Sequence, residues 1–142
     1  MPERERSGYT VLELLIVLMI AAILMAIAIP RAQLTLDRLT VHTAAGDVHS
    51  TLNLARTLAL AGNASVAVDV DSATGVLRIR RGTEVLMSRN IGFAHGVRLA
   101  GTRDSLTYDP HGLGRGAANL SIMVRRRLAA ETVFVSRFGR AR

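Results

Sequence analysis

From Leu14 to Ile29 the chain reads LLIVLMIAAILMAIAI without a polar residue, and Val11 and Leu12 extend the run backwards past a single Glu13. A helix on a soluble core shows a polar face, and this stretch shows none. At about 1.5 Å per residue, residues 9–29 are long enough to cross a hydrocarbon core, so they predict a transmembrane helix. Beyond Pro30 the pattern turns amphipathic. Leu34, Val41, Ala45, Val48, Leu52, Ala55 and Ala59 recur at helical spacing, while Arg31, Asp37, Arg38, His42, Asp47, His49 and Arg56 occupy much of the rest. The two patterns predict one helix from Tyr9 to Ala61, bent at Pro30 and stopped by a left-handed cap at Gly62-Asn63.

The remaining residues, 63–142, read as short strands separated by turns. Ser65–Val70 alternates with its valines on one face, Asp71–Gly75 turns the chain, and Val76–Arg80 returns with Val76 and Leu77 facing opposite ways. Further strands are predicted at 84–87, 97–100, 105–108, 120–124 and 132–136. About eighty residues make a thin domain alone, but an amphipathic helix can cover one side of a sheet. The predicted class is therefore α+β: a long N-terminal helix, transmembrane in its first half and amphipathic over residues 30–62, packed on a small antiparallel β-sheet.

Glu13 changes the meaning of the apolar run. A carboxylate there costs roughly 2.5–3.5 kcal/mol to insert, so it implies a partner or a function. An ordinary secretory signal would place small residues after the run, where Pro30 and Arg31 stand, and a basic patch before it, where Glu3-Arg4-Glu5-Arg6 is neutral. Ser7-Gly8-Tyr9-Thr10-Val11-Leu12-Glu13-Leu14-Leu15 resembles the type IV prepilin signature. The resemblance implies that residues 1–8 are a leader cut after Gly8 by an integral-membrane prepilin peptidase, which also N-methylates Tyr9. It also implies that Glu13 serves assembly and that Pro30 kinks the helix. Tyr9 stands where Phe is usual. In chemical terms, cleavage leaves a cationic amine at Tyr9, which the Glu13 carboxylate of an adjacent subunit can neutralise in apolar surroundings.

Charge adds a second theme. All 18 basic residues are arginine, and residues 72–142 hold thirteen of them against four acids, whereas residues 1–71 hold five against seven. A phosphate- or carboxylate-rich partner should therefore meet the second half. The strand order and the ending Gly139-Arg140-Ala141-Arg142 are similar to the GspH/FimT family of minor pilins and pseudopilins. That resemblance implies a filament subunit in the bacterial inner membrane, with a cytoplasmic leader, a periplasmic domain over 63–142, and other pilins or pseudopilins as partners.

It leaves two roles open: secretion or pilus assembly, and capture of double-stranded DNA for natural transformation. For DNA, Arg125, Arg126 and Arg127 end one strand, and Arg137, Arg140 and Arg142 follow the next. If the strands pair, six guanidinium groups gather with Glu131 as their nearest opposing charge, and Gly139 lets a phosphate backbone approach.

Nothing in the sequence argues for catalysis, a cofactor or a metal. His42, His49, His95 and His111 follow no ligand spacing, and His42 and His49 read as solvated helix-face residues. The glycine-rich His111–Gly116 segment precedes a strand rather than the helix that a phosphate loop needs, so it reads as a loop or hairpin connection. Cysteine is absent, which removes disulfides and thiolate chemistry.

Overall fold

The computed structural model describes residues 9–115, 120–136 and 138–141. Gly8, the rest of the predicted leader, Arg137 and Arg142 lie outside the described residues. The chain divides into two compact units, residues 1–35 and 36–142.

The first unit contains the start of α1, a helix spanning Val11–Ala61. Thr10 caps it: its hydroxyl accepts the Glu13 backbone N–H at 3.2 Å, satisfying one of the donors that every helix start leaves open. The helix continues through Pro30, which has no N–H to donate to the preceding turn. Apolar side chains from Val11 to Ile29 are exposed on all sides.

In the second unit α1 buries Val41, Ala44, Ala45, Val48, Leu52, Ala55 and Ala59, the predicted stripe with Ala44 added. Leu34 is not part of that core: it stands 37% exposed, in the first unit. The helix ends in a Schellman-type turn, with the Ala64 N–H reaching the Ala59 carbonyl at 3.3 Å. Asn63, rather than Gly62, takes the left-handed conformation, at φ 43°.

The strands form two sheets, not the single one expected. β1 (Val66–Asp71), β2 (Val76–Arg81), β3 (Glu84–Asn90), β5 (Ser105–Tyr108) and β6 (Gly114–Arg115) make a five-stranded sheet in the order β3-β2-β1-β5-β6. β4 (Arg98–Gly101), β7 (Leu120–Arg126) and β8 (Ala129–Val135) make a three-stranded sheet in the order β4-β7-β8, and every pairing is antiparallel.

A short helix missed in the sequence, α2 (Ile91–His95), lies between β3 in one sheet and β4 in the other. Asn90 caps it by accepting the Phe93 N–H at 2.9 Å, and Gly96 ends it at φ 59°. Val76 and Leu77 are both buried. Both sheets and α1 contribute to one apolar core whose buried members run from Val41 to Ala141.

Candidate functional site

The apolar segment is the first candidate. An 18-residue stretch of α1 has a mean hydropathy of 3.0 with none of it buried, which is a surface made for lipid or for other helices. Among the described residues, the Glu13 carboxylate has no cationic partner.

The arginines form the second candidate, and the hairpin separates them. β7 and β8 are antiparallel, pairing Arg126 with Ala129 at one end and Leu120 with Val135 at the other. The end of β7 and the end of β8 therefore lie apart by the length of the strands, about 20 Å. The expected gathering of Arg125–Arg127 with Arg140 does not occur, and Arg137 and Arg142 lie outside the described residues.

Arg126 and Arg127 have an opposing charge that the sequence did not indicate. Asp37, on α1, is 5% exposed and receives Arg126 Nε at 3.1 Å and Arg127 Nη1 at 3.6 Å. Glu131 is instead engaged by His42, 3.1 Å from its Nδ1. Arg125 lies directly across the ladder from Arg98.

At the opposite end, Gly139 folds the tail over Tyr108. Its φ is 73°, and a Cβ there would sit 2.5 Å from the Gly112 carbonyl and 3.0 Å from the Tyr108 ring. This close approach accounts for glycine at 139. Arg140 donates its backbone N–H to the Ser136 hydroxyl at 3.2 Å, and Ala141 pairs with Val135. His49, read as solvated, is half-buried and lies 3.1 Å from the Ala141 carbonyl, so it ties the tail to α1.

Arg56, Ser136, Phe138 and Arg140 line a cleft of about 480 Å³. Among the described residues, the Tyr108 hydroxyl and Arg56 Nε are buried without a hydrogen-bond partner. Burial pushes the Tyr108 phenol up to about 12, partly opposed by the Arg56 charge. Gly116 lies outside the described residues, and residues 109–113 form a hairpin connection between the antiparallel β5 and β6. Asp109 organises it by accepting the His111 and Leu113 N–H groups, both at 2.9 Å, and these bonds hold its carboxyl below the usual carboxylate range.

Comparison with known proteins decides the family. Residues 44–139 match the family described as type II transport protein GspH, which is most of the chain. The chain belongs to the GspH family. Residues 4–29 match the prokaryotic N-terminal methylation motif. Among solved structures, two crystal forms of the Pseudomonas aeruginosa type IV minor pilin FimU share the fold. One superposes with a TM-score of 0.63 at 16% identity, covering 74% of this chain and 88% of that one. The other gives 0.60 at 15% identity, covering 71% and 90%. No curated protein matches the chain.

As a GspH-family protein with a methylation motif, it is a pilin-like subunit of a type II secretion or type IV pilus filament, anchored by its apolar helix. The family comprises structural subunits, which assemble with other pilins and are processed by prepilin peptidase. Asp37, Arg56 and Arg98 escaped sequence reasoning. Asp37 carried a usable signal: it is an acid on the helix close to the positions of the apolar stripe, where a carboxylate requires a cation.

Proposed function

We propose that the protein is a minor pseudopilin or minor pilin, cut after Gly8, methylated at Tyr9 and built into the filament through its apolar helix and Glu13. A carboxylate within an exposed apolar surface, without a cationic partner among the described residues, carries this reading, because in lipid or in a packed helix bundle it requires a cation. The methylated amine of Tyr9 on a neighbouring subunit supplies one. Pro30, which gives up a helical hydrogen bond, is where the helix bends. The short leader faces the cytoplasm and the β-rich domain the periplasm.

Two measurements test this. Mass spectrometry of the membrane-purified chain should find N-methyl-Tyr9 as its first residue, and replacing Gly8 should leave the leader attached. Glu13→Gln should still be processed yet fail to crosslink with partner subunits. Normal incorporation of Glu13→Gln would defeat the assembly role.

A second reading, DNA capture, draws on the C-terminal end. Among the described residues, Arg56 and Arg140 line one cleft and form no ion pair. Arg137 and Arg142 flank Arg140 in the sequence Arg137-Phe138-Gly139-Arg140-Ala141-Arg142. Duplex DNA bound there should be lost with a slope near −0.9 per phosphate contact as salt rises, and Arg140→Ala with Arg142→Ala should flatten the slope. No gel shift at low salt removes this reading.

A further inference from the structure

The tip of the β7–β8 hairpin carries features that neither the core nor Asp37 explains. Leu128 stands 87% exposed at the turn, directly after Arg125, Arg126 and Arg127. Arg127 adopts φ 49°, a left-handed conformation that glycine or asparagine takes more easily. Arg98 and Arg125 are cross-strand partners with both side chains exposed. Like charges so placed repel, and among the described residues neither forms an ion pair. All four arginines line one cleft of about 710 Å³ that has no acidic wall. On the other side of the turn, Leu128 shares a recess with Arg38 of α1 and with Glu131, whose carboxylate is engaged by His42.

A second copy of the chain is a poor complement to this surface. From Leu36 onward there are eight carboxylates, and six of them already hold an arginine or a histidine. A nucleic-acid backbone would satisfy the arginines but has no use for an exposed leucine. Arginines around a projecting aliphatic side chain match the boundary between anionic head groups and acyl chains.

The covalent tether points the same way. Asp37, which grips the tip, follows Ile29 by eight residues. Even fully extended, at about 3.5 Å per residue, that length keeps it within about 28 Å of the end of the apolar run. A surface held so close to a bilayer meets lipid at high effective concentration.

We propose that the β7–β8 tip docks on anionic phospholipid, with Arg98 and Arg125 receiving the lipid phosphate and Leu128 entering the interface. The proposal rests on membrane anchoring by the apolar helix and is independent of which filament the protein joins.

The chain lacks cysteine, so Ala130→Cys in the full chain carries a single fluorophore beside the tip. The labelled protein is reconstituted into vesicles of phosphatidylcholine, with or without phosphatidylglycerol, that contain a spin-labelled quenching lipid. Quenching is expected only in the anionic vesicles. It should weaken roughly fivefold for each of Arg98→Ala and Arg125→Ala, and also with Leu128→Ser. A separate label at Leu18→Cys should be quenched in both vesicle types, so a failed anchor is distinguished from a failed tip. β-sheet circular dichroism confirms that each variant is folded. Equal quenching in neutral and anionic vesicles, or quenching indifferent to both arginine substitutions, overturns the proposal. So does a label response to duplex DNA or to an acidic partner pilin, in neutral vesicles, that exceeds the response to anionic lipid.

Discussion

Asp37→Asn removes one negative charge from a side chain that is 7% exposed, while preserving its size. The carboxylate receives Arg126 Nε at 3.1 Å and Arg127 Nη1 at 3.6 Å, so the contact joins α1 to the end of β7 and its turn. Breaking a fully buried ion pair costs about 3–5 kcal/mol. Here the arginine side chains are 36% and 67% exposed and can recover part of their hydration. The expected loss is therefore about 1–2 kcal/mol, close to one charge-assisted hydrogen bond. For a unit of this size that corresponds to a melting temperature lower by about 4–10 °C, readable by circular dichroism of the nanodisc-held protein. Hydrogen exchange should also accelerate at the amides of Arg126 to Ala130, with little change in β1 or β2. Combined with Arg126→Gln in a double-mutant cycle, the substitution should show coupling of about 1 kcal/mol. Additivity within about 0.3 kcal/mol would mean that the contact does not stabilise the fold.

Gly139→Ala should destabilise by about 2–3 kcal/mol in chemical denaturation, because a Cβ must enter the space of the Gly112 carbonyl at a left-handed φ. For Tyr108, the phenol is pushed up to about 12 by burial. Its folded value exceeds the unfolded one near 10, so the associated stability, about 2–3 kcal/mol, is present below pH 10 and lost as pH rises towards 12. Unfolding at stepped alkaline pH checks this, and Tyr108→Phe should flatten the loss over that window. Asp109 runs the other way. Its carboxyl is held low by the His111 and Leu113 N–H groups, so its contribution is present above about pH 4 and lost as pH falls through the depressed value. Loss of protection at those two amides on acidification, taken against their intrinsic exchange rates, is the measurement.

The helix and most strands were legible because their signals are periodic. Val41, Val48, Leu52 and Ala55 repeat at helical spacing, Val66, Val68 and Val70 alternate, and all are buried as expected. The Glu13 and Gly8 signature was legible as a short motif. What escaped depended on contacts between distant residues. β8 begins at Ala129 rather than 132 because the chain turns at Arg127-Leu128, which carries no glycine, proline or asparagine. The passage from β3 in one sheet to β4 in the other was hidden because Asn90 and Gly96 bound a helix of only five residues, too short to show a period. The arginine cluster failed for a geometric reason. Basic groups that follow consecutive antiparallel strands fall at opposite ends, so pairing the strands separates them.

The register of β3 carries a consequence for a protein that works by joining others of its kind. Ile79 faces Met87 and Arg80 faces Val85, which leaves Leu86 as an extra residue in the outermost strand of the five-stranded sheet. Such a bulge twists an edge and interrupts its row of free backbone groups, so another strand cannot extend the ladder in register. Glu84 and Arg89 add charge to the same strand. Backbone pairing along the β3 edge, a route to uncontrolled aggregation, is thereby obstructed.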